Sequence, residues 1–356
     1  MSGKLIEMRE KFPNTHVWVD SCSKADLEYG MSVGCVGATT NPVIVNQVLG
    51  SEMPEWKDTI TELYKSNPEA TEDDVAWMLI EKMGLRGCEM LRPVYEKENG
   101  ACGKISMQTN IKNYHNAEKM AAQAVGFSKL ADNIMVKMPI NEAGLKAFEE
   151  ATYRGVSINA TVSFSVAQAV ALAEAVERGM KRREAEGKDT SKMTPVCTIM
   201  IGRIDDWLKK AVARDSVAID PEALEWAGVA VFKKAYKIFK ERGYRTRLLT
   251  AAYRNIHHWQ QFIGGDVSMT ITSKWLKVYD NSNVEIRNYM DDPVPQQWLD
   301  QLDKLPDFHR AYDEDGMTVA EFEYYGAFVT CLEGFFKGYE QLLQQVRPMQ
   351  FGSVLK

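Results

Sequence analysis

Histidine is scarce and positive charge is not in excess. Five histidines stand among 356 residues, and 43 lysines and arginines face 49 aspartates and glutamates, for a formal net charge of -6. That balance provides no field to hold a polyanion, and no stripe of Lys and Arg interleaved with aromatics runs through the chain, so no nucleic-acid partner is expected. The six cysteines (Cys22, Cys35, Cys88, Cys102, Cys197 and Cys331) contain no Cys-x-x-Cys pair. Scattered in a chain this long, they read as reduced, buried thiols, which argues against both a zinc site and a disulfide framework. His257 and His258, adjacent in "RNIHHWQQ", point in different directions and read as positions on a surface helix rather than as metal ligands. Long apolar runs are lacking as well. The opening "MSGKLIEMREKFPNTH" has no apolar h-region, and "SFSVAQAVALAEAV" is too short and too amphipathic to span a bilayer. A cytoplasmic protein with no membrane partner is therefore expected, and neither a low-complexity segment nor a short repeat complicates it.

The composition that is present, 45% hydrophobic and 26% charged, suits a globular protein with a sizeable core. Short β-rich runs alternate with helical ones, the pattern of repeated βα units around a parallel sheet. The runs that read as strands are "HVWVD", "GCVGATTN", "GKISMQ", "NIMVKMP", "VSINATV", "PVCTIMIG", "RTRLLTAA" and "VSMTIT". Between them lie segments such as "EAGLKAFEEATYRG", whose apolar residues recur at three and four and which often end at Gly. The expected fold is a (β/α)8 TIM barrel over about residues 14 to 280, within a single domain covering the chain; a doubly wound open sheet is the alternative. Two additions are expected. One is helical structure after the second strand, around "TEDDVAWMLIEKMGLRGCEMLRPVYEKENG". The other is a C-terminal helical extension over about residues 290 to 350, where Thr318 and Glu321 have capping-box spacing. The aromatics of that tail (Phe322, Tyr325, Phe328, Phe335 and Tyr339) recur at helical spacing and are expected to pack on the barrel, with a contact between copies of the chain as the other reading.

Side chains alternate along a strand, so parity sorts each run into helix-facing and barrel-facing sets. The helix-facing set of "NIMVKMP" is Ile134, Val136 and Met138, which turns Met135 and Lys137 inward. The same rule turns inward Trp18 and Asp20 of the first strand, Thr39 and Asn41 of the second, and Ser106 and Gln108 of the third. From the fifth, sixth and seventh it selects Ser157, Asn159 and Thr161, then Thr198 and Met200, then Thr250 and Ala252. Barrel interiors are usually filled by branched apolar residues, and barrel enzymes place their chemistry at the C-terminal ends of the strands. Polar residues that share one parity and one end thus point to a site, since a buried polar network that serves only itself is costly.

Lys137 supplies the chemistry. Removing a lysine from water disfavours its charged form, and the resulting neutral amine can attack a carbonyl. The iminium so formed is an electron sink that permits cleavage or formation of the neighbouring carbon–carbon bond. Asp20 is placed to carry the proton of the hydroxyl that becomes an aldehyde, Gln108 and Thr161 to hold the water that makes and breaks the imine, and Asn41 and Asn159 to fix substrate hydroxyls. A non-covalent role for Lys137 in a salt bridge to Asp20 is the competing reading. Arg203 in "TIMIGRIDDW" and Arg254 in "LLTAAYRN" follow the sixth and seventh strands, near the loops where barrels often bind phosphate.

"VWVDS", "GATTNPVI", "VKMPINEAGLKA", "VSINATVSFSVAQA", "IGRIDDW" and "LLTAAYRNI" resemble, in order and spacing, the signatures of the transaldolase family, from Asp20 to about Thr272. The resemblance implies Lys137 as the Schiff-base lysine on the fourth strand, Asp20 as acid/base, Asn41 and Asn159 as hydroxyl ligands, Thr161 as a water positioner, and Arg203 and Arg254 as phosphate ligands. It implies neither a metal nor an organic cofactor. Most members move a dihydroxyacetone unit between sugar phosphates. The departures are Gln108, where such transaldolases usually carry Glu and the related fructose-6-phosphate aldolases carry Gln; Met200, where those aldolases tend to carry Tyr; Ala252 and Thr198, where Ser is common; and "KMPIN" in place of the usual "KIPAT". The leading expectation is a divergent transaldolase-like transferase whose donor or acceptor differs from the common pentose-phosphate pair, with a sulfonated sugar among the candidates. The alternatives are an aldolase that releases free dihydroxyacetone, a sugar-phosphate-binding barrel without catalysis, and another lysine-dependent barrel such as a dehydratase. Association into a homo-oligomer is left open.

Overall fold

The architecture follows from a computed structural model that describes residues 3–355. Eight parallel strands close on themselves in sequence order: β1 (His16–Val19), β2 (Gly37–Thr39), β3 (Lys104–Gln108), β4 (Ile134–Pro139), β5 (Ile158–Thr161), β6 (Val196–Ile199), β7 (Arg247–Thr250) and β8 (Ser268–Ile271). Each coincides with one of the β-rich runs. Closure is made by β8 against β1, with His16 opposite Ser268 and Trp18 opposite Thr270, and this pairing excludes the open sheet. All-parallel strands need both faces covered, and every strand is buried over nearly its whole length. All six cysteines are free and buried. Among the described residues no helix is long and apolar enough to cross a membrane.

Register decides which side chains face inward, because laterally paired residues of a parallel sheet share a face. Thr39 pairs with Ser106 and Gln108 with Lys137. Lys137 pairs with Asn159, and Thr198 with Leu249. The parity read from the sequence holds for these strands but not for β7. Leu249 pairs with Thr198 on one side and Ser268 on the other, so Leu249 and Ala251 face in and Thr250 faces the helices. The polarity of Thr250 misleads there. Its hydroxyl is satisfied by the Tyr253 hydroxyl at 2.5 Å, a partner supplied by the following turn rather than by the barrel interior.

Crossover helices begin at the C-terminal mouth, and their caps are polar residues placed just after a strand. Asn41 accepts from Ile44 N, Asn141 from Gly144 N and Ser165 from Gln168 N, each satisfying an otherwise orphaned helix donor. Between β2 and β3 the added structure is a pair of long helices, Pro42–Ser66 and Glu72–Lys97. The first kinks at Glu52, two residues ahead of Pro54; the second starts at a complete capping box of Thr71 and Asp74.

The C-terminal extension ends in the 21-residue helix Gly326–Val346. The capping box of Thr318 and Glu321 forms, but it opens a short 3-10 turn (Val319–Tyr324), and the long helix starts only at Gly326. Gly326 lies against the Trp207 indole, where a Cβ would come within 2.0 Å of a ring atom. Phe322, Tyr325, Phe328, Phe335 and Tyr339 are all buried. The helix is tied to the inserted pair by Tyr339 Oη donating to Asp73 at 2.8 Å and Gln345 Nε2 donating to Asn46 O at 2.9 Å.

Against the inserted pair the helix comes close at Gly338, where a Cβ would meet Val43 Cγ2 at 2.6 Å and Val43 Cα at 2.9 Å. Alanine favours a helix interior over glycine by about 1 kcal/mol, yet Gly338→Ala is expected to lower the thermal midpoint and speed proteolysis within Gly326–Val346, because the Val43 backbone cannot give way. A raised midpoint in calorimetry would show this packing to be slack.

Candidate active site

A cavity of about 310 Å³ opens at the C-terminal mouth of the barrel, and seven of the residues expected at a site line it: Asp20, Asn41, Lys137, Thr161, Thr198, Arg203 and Arg254. Gln108 and Asn159 do not reach its surface. They flank Lys137 on either side in the sheet. Asn159 is fully buried, and its amide is engaged at both ends, donating to Ser106 Oγ at 3.0 Å and accepting from Thr198 Oγ1 at 2.7 Å. It therefore holds the wall beside Lys137. Gln108 is the opposite case, 4% exposed with neither amide atom partnered. Such orphaned groups are rare and costly, and this one lies in the same row as Lys137.

Lys137 is 5% exposed, and among the described residues no hydrogen bond or ion pair engages its amine. Burial drives its pKa below that of a free lysine, against the opposing pull of the Asp20 charge. Asp20 is shifted the other way. Its removal from water raises the carboxyl pKa, while Lys137, the Thr39 hydrogen bond and Arg203 partly offset that rise. Thr39 Oγ1 donates to Asp20 Oδ1 at 2.7 Å, and Thr270 Oγ1, 2.5 Å from Thr39, completes the relay as its donor. An amine of lowered pKa and a carboxyl of raised pKa thus share one wall of the cavity, an arrangement suited to attack on a carbonyl and to proton transfer.

The loops around this pair are tightly held. Gln168, fully buried, donates from Nε2 to Ile140 O at 3.0 Å and to Val162 O at 3.1 Å while accepting from Phe164 N at 2.9 Å. It joins the ends of β4 and β5, the strands of Lys137 and Thr161. Val162 has φ 52° and Ala252 has φ 67°, left-handed conformations that are unfavourable for a β-branched residue above all. Strain of this kind collects at functional sites. Ala252 reaches the cavity through this turn and not through strand parity.

Both arginines stand at the mouth of the cavity. Arg254 grips Asp206 through Nε at 3.1 Å and Nη2 at 2.7 Å, and Arg203 Nη1 lies 3.9 Å from the same carboxylate. Arg203 belongs to the helix Ile201–Asp215, and Arg254 to the turn after β7. Lys274 adds a third cation at the mouth. Several lining residues were not picked out by sequence reasoning. Thr330, Cys331, Gly334 and Phe335 of the C-terminal helix wall the cavity, with Cys331 Sγ 3.7 Å from Met200 Sδ. Burial pushes the Cys331 thiol up to about 11, so it is protonated at neutral pH. Their spacing marked a packed helix, but nothing in it marked which end of the barrel is covered. Thr270 was legible through β8 parity. His258 is a correction: it is fully buried, not on a surface, because Asp205 lies behind it with Oδ2 2.7 Å from Nε2. Among the described residues no group of three His, Cys, Asp or Glu side chains converges in a manner that could hold a metal ion.

Replacing Gln168 with Leu would leave two buried carbonyls and an N–H without partners, each costing about 1–3 kcal/mol. The expected result is a loss of about 3 kcal/mol or more in urea unfolding. A loss below about 1 kcal/mol would mean that water replaces the amide.

The family profile described as Transaldolase/Fructose-6-phosphate aldolase matches residues 17–321. Among curated proteins the chain is 27% identical over 244 residues to a transaldolase of Acidothermus cellulolyticus, a match that covers 64% of this chain and 62% of the relative. It is 29% identical over 240 residues to transaldolases of Mycobacterium bovis and Mycobacterium tuberculosis, covering 63% of this chain and 62% of each relative. The match thus spans less than two thirds of the length of these relatives.

Proposed function

We propose, for a chain that belongs to the transaldolase/fructose-6-phosphate aldolase family, that it transfers a dihydroxyacetone unit between anionic sugars through a Schiff base on Lys137. One observation carries this reading: a buried, unpaired lysine with a lowered pKa beside a carboxyl with a raised one, both on the wall of the barrel-mouth cavity. The neutral Lys137 amine adds to the C2 carbonyl of the ketose, and loss of water gives the iminium. Asp20 takes the proton of the C4 hydroxyl, the C3–C4 bond breaks, and its electron pair moves into the enamine as the aldehyde leaves. The enamine carbon then attacks the aldehyde of the acceptor, Asp20 returns its proton to the new alkoxide, and water adds to the iminium to free the product ketose. Gln108, whose amide lacks partners, is suited to hold that water. Asn41 keeps its Nδ2 for a substrate hydroxyl, since its Oδ1 caps the helix at Ile44 N. Arg203 and Arg254 take the anionic group, phosphate or sulfonate, with the donors that Asp206 leaves open.

A second reading is favoured by Gln108 itself. An amide cannot act as a base toward the imine, and a water on its orphaned atoms would lie near the enamine and could protonate it, releasing free dihydroxyacetone. Changing Gln108 to Glu is expected to raise the ratio of transfer to release, measured by product analysis with an added acceptor aldehyde; an unchanged ratio removes Gln108 from that choice.

Borohydride reduction after incubation with fructose 6-phosphate, sedoheptulose 7-phosphate, sulfofructose or dihydroxyacetone should leave a three-carbon adduct on Lys137, seen by peptide mass spectrometry and absent in Lys137→Ala. Imine formation needs the neutral amine, so trapping should rise with pH and reach half its maximum below the roughly 10.4 of a free lysine. Turnover also needs Asp20 ionised, so it should fall on acidification through the raised Asp20 pKa. Folded protein that forms no adduct with any of the four would sink the Schiff-base reading.

A further inference from the structure

We propose that the buried pair Asp205–His258 is a brace that positions the two arginines of the anion end, and thereby sets how tightly the site holds an anionic sugar. The inference rests on the Schiff-base reading for its function but on geometry alone for its existence. Both side chains are fully buried, and neither is used by the chemistry at Lys137. His258 Nδ1 accepts the backbone N–H of Arg254 at 3.1 Å. The ring proton must then sit on Nε2, which donates to Asp205 Oδ2 at 2.7 Å. Asp205 Oδ1 accepts Gly228 N–H at 2.8 Å. One carboxylate therefore ties together the helix that carries Arg203, the turn that carries Arg254, and the start of the helix Ala227–Arg242.

The same turn is fastened on its other side. Asn255 Nδ2 donates to Glu225 Oε2 at 2.7 Å, Asn255 Oδ1 accepts from His258 N at 3.2 Å, and Tyr279 Oη donates to Asn255 O at 2.9 Å. Gly202 allows the close approach that these bonds require, since a Cβ there would lie 1.8 Å from Ala252 O. A carboxylate buried against an imidazole does little for stability alone, and apolar residues of similar volume often do as well or better. What it provides is direction: the Arg254 amide is held by a ring whose orientation and tautomer Asp205 dictates, as an oriented partner does for a functional histidine. Asp205 and His258 are thus positioning residues.

Asp205→Asn would turn an amide N–H toward Nε2, move the ring proton to Nδ1 and set it against the Arg254 N–H. His258→Gln keeps a donor and an acceptor; His258→Phe keeps the volume only. The experiment measures inorganic phosphate affinity by calorimetry, amide exchange of the peptide containing Arg254, and borohydride trapping of dihydroxyacetone, on full-length variants that unfold cooperatively. For Asp205→Asn and His258→Phe, phosphate affinity is expected to fall by about tenfold and exchange at Arg254 to quicken. Trapping of uncharged dihydroxyacetone should stay within about twofold, and His258→Gln should recover part of the loss. Unchanged phosphate affinity and exchange, or an equal loss for phosphate and dihydroxyacetone, would overturn the brace. So would wild-type protein that does not bind phosphate. Wild-type protein that binds phosphate yet traps no dihydroxyacetone would defeat the Schiff-base reading and leave the brace standing on affinity and exchange.

Discussion

Withdrawal of one ammonium group from water governs this molecule. Among the described residues Lys137 has no partner at hydrogen-bond distance, so its charge is opposed by burial and supported at longer range, chiefly by Asp20. An isolated buried charge is so costly that the group responds by losing its proton. Lys137 sits on β4 with Gln108 and Asn159 beside it on the neighbouring strands. The carboxyl beside it feels the same low dielectric with the opposite sign, and its pKa rises. One environment thus moves the two groups in opposite directions, the amine toward its neutral form and the carboxyl toward its protonated one.

The rest of the mouth reads as support for that wall. Gln168 closes the loops after β4 and β5. Thr39 and Thr270 orient the Asp20 carboxylate. Asn159 gives up both ends of its amide to Ser106 and Thr198. Lying over the wall, the C-terminal helix supplies Cys331, Phe335 and the open space at Gly334, where a Cβ would meet nothing within 4 Å. At the other end Asp206 occupies part of the arginine fork, an internal carboxylate that the anion of a substrate would have to match or displace. The wall beside Lys137 is thus held by buried hydrogen bonds, whereas the arginines are compensated by a carboxylate of the same chain.

The two ends were not equally legible from residues. Lys137, Asp20, Asn41, Thr161 and Thr198 could be gathered from parity because the period of two is enforced by the pleat itself, and Arg203 and Arg254 from their place after the sixth and seventh strands. Parity failed at β7, where a turn residue, Tyr253, satisfied Thr250 and removed the reason for a polar side chain to face inward. It also could not tell that the amide of Asn159 would be used up by its neighbours while that of Gln108 would be left without partners. His258 was misread because adjacency on a short helix says nothing about what lies behind it, and Asp205 comes from a segment 53 residues away in sequence.

What the sequence determined by itself is therefore local and periodic. It includes the eight strands, the lysine inside the fourth, the polar residues ending their neighbours, the long inserted helix, and the family likeness that these motifs share. What only the tertiary structure decided is long-range. The registry of β7 against β6, the placement of the C-terminal helix over the mouth, the sharing of Asp206 by two arginines, and the burial of Asp205 with His258 all depend on contacts between distant segments. Side-chain alternation and helix capping are fixed by backbone geometry within a few residues, so composition and spacing reveal them. Burial, pairing and proton position are set by whichever groups packing brings together, and that information exists only once the barrel has closed.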